Sequence, residues 1–210
     1  MLRNDIGKAV EEMPSGTHAV LVYDSQENKR DVLFNHLKCG VNREGLMYVC
    51  TEETPKAIRS EMDEFGLDTE RLAANGNLAV KKYDEVYIVD GVVNIPKIIN
   101  GFMYASSEAK QKGMKGIRAG AEMSCFFREK KSSDLITYEN TLHKTLSFPA
   151  KGICAYNLVE MGNSGNLDLI WPILRAHGLV IMTGPNGAFA LPEPDVPQDI
   201  VEATIKAVVR

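Results

Sequence analysis

The chain has 210 residues, 44% hydrophobic and 25% charged, the make-up of an ordinary globular protein of one sizeable domain or two small ones. Its 24 basic and 28 acidic residues leave a net charge of −4, which gives no electrostatic basis for nucleic-acid binding. No apolar run approaches the ~20 residues of a membrane helix, and residues 1–14 are too polar for a signal peptide, so a cytoplasmic protein without membrane contact is expected.

In chain order, residues 1–16 form a candidate amphipathic helix closed by Pro14-Ser15-Gly16. A strand is predicted over 18–23 and a helix over 27–39, then a strand over 46–50 and a helix over 55–65. The second of these helices carries explicit punctuation: Thr54 as N-cap, Pro55 at the first helical position and Gly66 after the last turn. A strand over 78–82 leads to a helix over 95–112, opened by Ile95-Pro96 and ended by Gly113. A strand over 116–119, running into the small-residue turn Ala119-Gly120-Ala121, precedes a helix over 134–146. Strand 153–157, helix 167–176 and strand 179–182 complete the series, with MGNSGN (161–166) and TGPNG (183–187) as turns.

Strand–helix alternation with short connections predicts a single α/β domain, a mainly parallel sheet with helices on both faces. Its expected bounds are 17–190, after an extension over 1–16. The remainder, 191–210, opens as the proline-rich spacer LPEPDVPQD and continues as a helix over 198–209 whose apolar stripe packs on its own domain. The four cysteines, Cys39, Cys50, Cys125 and Cys154, have no CxxC or Cys/His metal spacing and read as reduced and mostly buried, with no metal site.

The first strand-to-helix junction, VYDSQENKRD (22–31), lies where many nucleotide-binding α/β proteins place a glycine-rich phosphate loop. With Lys29 set at the lysine of a Walker A loop, Asn28 and Tyr23 occupy glycine positions and Arg30 the magnesium-binding hydroxyl position. The junction instead carries capping-box spacing, Asp24 with Glu27 or Ser25 with Asn28, which fills a helix N-terminus with the protein's own side chains.

Ligands of open α/β sheets bind beyond the carboxyl ends of the strands. Glu52 and Glu53 are predicted there, set against a helix dipole, paired with Arg118 or turned to a polar ligand. Arg118 either forms a buried ion pair with a glutamate, such as Glu53 or Glu122, or clamps an anionic ligand. Tyr23 and Tyr156 either flank the pocket or pack at the core edge, and His177 just precedes the last strand. Tyr23, Glu53, Arg118, Glu122 and Tyr156 are expected to converge at one edge of the sheet. His36 and His143 read as surface or partly buried helix residues, and Trp171, Met161 and Met182 as core fillers. No hydrolase elbow, HExxH or other catalytic set appears, so no enzymatic activity and no cofactor are expected.

The spacing from Lys29 to Gly40, and the strand ending MYVCTEE, resemble the KaiC group of RecA-like ATPases. In order along 17–183, the segments from HAVLVYDSQENKRD to MYVCTEE, then IRAGAEMSCFF, YENTLHKTL, GICAYNLVE and LRAHGLVI, resemble the MEDS domain, the methanogen/methylotroph sensory domain named for DcmR. The resemblance implies a RecA/KaiC-like fold with a degenerate phosphate loop at Asn28, Lys29 and Arg30. It further implies a regulatory small-molecule sensor, with a hydrocarbon derivative or C1 compound as ligand and a regulatory protein as partner. His18 joins the candidate ligand residues through its resemblance to a family position. Two departures stand out: Ala155-Tyr156 where the family often reads Gln-Tyr, and Gly178 in place of a frequent proline. A nucleotide-binding regulator working through Lys29 and a non-catalytic interaction scaffold are the competing readings. RecA-like folds often self-associate, so a homo-oligomer is compatible with either.

Overall fold

The computed structural model describes residues 4–185 and 187–209, with all side chains in that range but those of Asn4 and Lys144. Helix α1 (Asn4–Glu11) precedes β1 (Thr17–Tyr23), whose uninterrupted apolar run is buried from His18 onward. Helix α2 (Gln26–Lys38) starts at Ser25, whose side chain accepts from the Asn28 amide at 3.3 Å. Of the two capping pairs the sequence offers, the backbone uses Ser25 and Asn28, while Asp24 accepts from the Asn28 side chain. Strand β2 (Gly45–Cys50) is followed by α3 (Pro55–Glu64), capped by Thr54 with Pro55 in its first turn, and by α4 (Thr69–Ala74).

Strand β3 (Leu78–Lys82) runs into the single turn α5 (Tyr83–Val86), and α6 (Ile95–Gln111) leads to β4 (Ile117–Glu122). A further turn, α7 (Cys125–Arg128), and α8 (Ser132–Thr145) precede β5 (Ala150–Asn157). Then come α9 (Leu158–Asn163), α10 (Ile170–Arg175), the hairpin of β6 (Leu179–Gly184) and β7 (Gly187–Pro192), and α11 (Gln198–Val208).

The strands form one sheet in the order β3-β2-β4-β5-β1-β6-β7. All neighbours are parallel except the β6–β7 pair. Helices cover both faces, as the strand–helix alternation predicts. Side chains alternate across the pleat. Ala19, Leu21, Tyr23, Tyr48 and Ile153 pack beneath α1, α2 and α3. Val20, Val22, Cys154, Tyr156 and Val180 pack on the other face with α6, α8 and α10. Among the described residues no helix is long and apolar enough to cross a membrane.

Several expectations need correction. The edge strand β7 begins at Gly187, expected as the end of a turn, and ends in residues expected as spacer, so the anticipated boundary at 190 falls inside a strand. Proline is tolerated at such an edge, where its missing N–H faces no neighbour. Asn186 of the predicted turn lies outside the described residues. Ala119-Gly120-Ala121 is strand and not turn: a Cβ at Gly120 would meet Leu33 of α2 and Tyr48 at 3.5 and 3.6 Å, ordinary packing distances. Residues 167–169 form a 3-10 turn ahead of α10. The short helices α4, α5, α7 and α9 have too few turns to show a period. His36, expected at or near the surface, is fully buried.

Where β4 begins, Gly116 has φ +136, and a Cβ there would lie 2.1 Å from the Pro149 carbonyl oxygen. Gly116→Ala is expected to lower unfolding free energy by at least about 1–3 kcal/mol, the cost of such backbone strain. Urea melts would show it as a lower midpoint at unchanged slope.

Candidate functional site

The carboxyl ends of β1, β2 and β4 meet around Glu122, which closes β4 with no exposed surface. Its Oε1 accepts from Lys29 Nζ at 2.8 Å and Tyr48 Oη at 2.7 Å. Its Oε2 accepts from the backbone N–H groups of Thr51 and Glu52 at 2.6 and 2.7 Å. One carboxylate thus fixes the turn after β2 and the first turn of α2. Lys29, itself fully buried, also reaches Glu52 at 3.3 Å and Glu53 at 3.2 Å.

Glu52 is held by Tyr23 Oη at 2.6 Å, by Asn157 Nδ2 at 3.1 Å, by Ser124 Oγ at 3.2 Å and by the Gln26 amide. Burial by itself would raise its carboxyl, but Lys29, Tyr23, Gln26 and Asn157 together bring it down to about 2. Burial lowers the Lys29 ammonium, and the attraction of Glu122, Glu52 and Glu53 more than reverses this. Arg30 extends the network outward, bonding Glu53 at 2.9 Å and Glu61 at 2.6 Å. Every acidic group near Lys29 therefore already has donors. Three carboxylates thus crowd the ammonium of this lysine.

The expected convergence of Tyr23, Glu53, Arg118, Glu122 and Tyr156 does not occur. Tyr23, Glu52, Glu53 and Glu122 come together; Arg118 and Tyr156 go elsewhere, each for a geometric reason. Arg118 is the second residue of β4 and lies four positions before Glu122, about 13 Å along an extended strand. There it forms the ion pair that one of its two readings expects, but with Glu44, at 2.6 Å, and not with Glu53 or Glu122. Its Nη1 donates to the carbonyls of Val10 and His36, and Lys151 completes the pair at 3.0 Å from Glu44. Tyr23 pairs in register with Asn157, and Tyr156 with Val22, so the pleat turns the two tyrosines to opposite faces.

On that second face Tyr156 Oη donates to Glu139 of α8. Glu139 also lies within 3.1 Å of His18 Nε2 and 3.5 Å of His177 Nε2, and His18 Nε2 is 3.4 Å from Cys154 Sγ. All of these groups are buried. Burial, joined for His18 by His143 and for His177 by His18, lowers both imidazoles to about 3, so both are neutral. Burial raises the Glu139 carboxyl, partly offset by His177, Tyr156 and Cys154, and lifts the Cys154 thiol well above its ordinary value. Sequence reasoning missed Glu139, which looks like one polar residue on an amphipathic helix.

A narrow cavity of about 30 Å³ opens beside His18 and Cys154. Its walls are almost wholly apolar, with Phe102, Ile117, Ala121, Tyr138, Leu142 and Phe148 among them. Of the eight candidate ligand residues, His18 is the one that lines it.

A family model described as MEDS, the methanogen/methylotroph, DcmR sensory domain, matches residues 17–171. No curated protein matches the chain. Among solved structures, a KaiC-like protein from the hyperthermophilic archaeon Pyrococcus horikoshii superposes with a TM-score of 0.54 at 17% identity, covering 85% of this chain and 91% of that one. The superposition shows the RecA/KaiC-like fold.

Removing Lys29 would strand buried carboxylates. Lys29→Met is expected to cost about 3–5 kcal/mol in urea or thermal melts. Because Glu52 titrates lower in the folded chain than its ordinary 4.5, its stabilising contribution is present above that pH and lost as pH falls toward about 2. The stability gap between wild type and Glu52→Gln should shrink over that window, which denaturation midpoints against pH would read.

Proposed function

The chain belongs to the MEDS family of sensory domains, and from that premise we propose that it senses a small, mainly apolar molecule, such as a hydrocarbon derivative or C1 compound, in the cavity beside His18 and Cys154. On this reading it has no ATPase or other catalytic activity, and its former phosphate loop no longer takes nucleotide. The observation that carries the proposal is the cavity itself, about 30 Å³ of apolar-walled space. A single water-sized guest needs about 10–15 Å³, so the space suits a molecule of one or two heavy groups. Apolar walls reward such a guest by removing its surface from water.

The loss of nucleotide binding is supported by Lys29. Its ammonium is committed to three carboxylates, and an incoming triphosphate would meet Glu52, Glu53 and Glu122. Output would follow from repacking of α6 and α8, which supply Phe102, Tyr138 and Leu142 to the cavity wall. A regulatory protein partner reading the outer surface of these helices completes the scheme, with no nucleic-acid contact by this domain.

Thermal-shift titration with methanol and chloromethane tests the reading, with dichloromethane and benzene as successively larger guests that should fit less well. A fitting guest at 100 times its dissociation constant stabilises the fold by about 2.7 kcal/mol. Ala121→Leu, which fills the cavity, should abolish that shift, while magnesium-ATP should neither shift melting nor be hydrolysed. Saturable ATP binding lost in Lys29→Ala would instead support the nucleotide-regulator reading.

A further inference from the structure

His18, Glu139, Cys154 and His177 come from four separate elements: β1, α8, β5 and the turn before β6. One donor atom from each lies within 4.8 Å of all the others. The four residues are at most 4% exposed. Glu139 Oε2 and His177 Nε2 nevertheless have no hydrogen-bond partner, because the short approaches between them lack hydrogen-bond alignment. Leaving a carboxylate oxygen and an imidazole nitrogen unpaired in a core costs several kcal/mol. Apolar residues of similar size would avoid that cost, so the cluster calls for a positive group at its centre.

The tautomers point the same way. His177 Nδ1 donates to the Ile173 carbonyl at 2.7 Å, which leaves the Nε2 lone pair directed at Glu139. A lone pair facing a carboxylate oxygen repels it unless a proton or a metal ion sits between them, and a metal ion alone would serve His18 Nε2 and Cys154 Sγ as well. The other Glu139 oxygen is fixed by the Tyr156 hydroxyl, the kind of outer support that orients metal-binding carboxylates. His18 Nδ1 is turned toward the Ala176 carbonyl without completing a hydrogen bond.

Spacing fits as well. Zinc bonds of about 2.0–2.1 Å to nitrogen or oxygen and about 2.3 Å to sulfur give tetrahedral edges of about 3.3–3.6 Å. Three of the six donor–donor approaches, at 3.1, 3.4 and 3.5 Å, lie close to those edges, and all six fall within 4.8 Å, so a bound ion would draw the wider pairs together.

We propose that His18, Glu139, Cys154 and His177 form a buried tetrahedral site for a divalent transition ion of the zinc type. Two neutral imidazoles, one carboxylate and one thiolate balance a dication, so the occupied centre carries no net charge in its apolar surroundings. Uptake releases the Cys154 proton to solvent, and bound metal keeps the thiol ionised. Four protein ligands close the coordination sphere, which makes the role structural. The groove of about 430 Å³ that His18 shares with Met13, His143 and Gly178 offers the access route. The site stands whether or not the neighbouring cavity takes a guest.

The test uses the full chain, purified and dialysed against zinc and then metal-free buffer. One zinc per chain is expected, with an X-ray absorption spectrum showing one sulfur and three nitrogen or oxygen neighbours. Cobalt substitution should give a thiolate charge-transfer band together with tetrahedral visible bands. Cys154→Ser and His177→Gln should lose the metal, and Tyr156→Phe should weaken binding about 10–100-fold while remaining folded. Should the ligand variants fail to fold, the wild-type sulfur count and cobalt spectrum decide. Wild type that takes up no stoichiometric metal, a sulfur count other than one, or metal retained in both ligand variants would overturn the proposal.

Discussion

The Lys29 ammonium, sealed among the carboxylates of Glu52, Glu53 and Glu122, is the contact on which the carboxyl end of the sheet depends. Four elements are tied by it: α2 through Lys29, β4 through Glu122, the turn after β2 through its backbone N–H groups, and β1 through Tyr23. Burying one ammonium with three acids is tolerable only because each acid has further donors. Tyr48, Arg30, Asn157 and Ser124 supply them. The network is therefore cooperative: removing one member leaves its neighbours charged and dry.

The pleat of the sheet then separates two chemistries. Odd-numbered residues of β1 face α2 and its ionic network, while even-numbered ones face α8 and the histidine–glutamate–cysteine cluster. Arg118 anchors a third polar knot at the amino ends of the strands, where it and Lys151 share the Glu44 carboxylate. None of the three knots shares a side chain with another, although α2 borders both the Lys29 and the Arg118 knots.

Much of this was legible from the amino-acid order. Strands β1, β2, β5 and β6 carry buried apolar runs, and Thr54-Pro55 and Asn94-Ile95-Pro96 mark helix starts through their local chemistry. The grouping of Tyr23, Glu52, Glu53 and Glu122 follows from strand ends alone. Register is what a single sequence withholds. The opposite facing of Tyr23 and Tyr156 depends on which residues of β1 and β5 are paired, and that is set by distant packing. Glu44 could not be recognised as the partner of Arg118, because it sits in a loop 74 positions away. The cluster at Glu139 has the same character: its members are far apart in sequence, so ligand spacing offers no signal.

Helix α1 has a consequence for where this domain begins. Ile6, Val10 and Met13 are buried against the sheet, and the Val10 carbonyl accepts from Arg118. At the other end, β6 pairs with β1 in the sheet interior, and His177 lies just before it. A fragment trimmed to the residues 17–171 that carry the family pattern would lose both. It would bare one side of β1 and uncover the apolar floor beneath α1, inviting a second chain to pair with the open strand. The stretch by which the family is recognised is shorter than the stretch that shares one core.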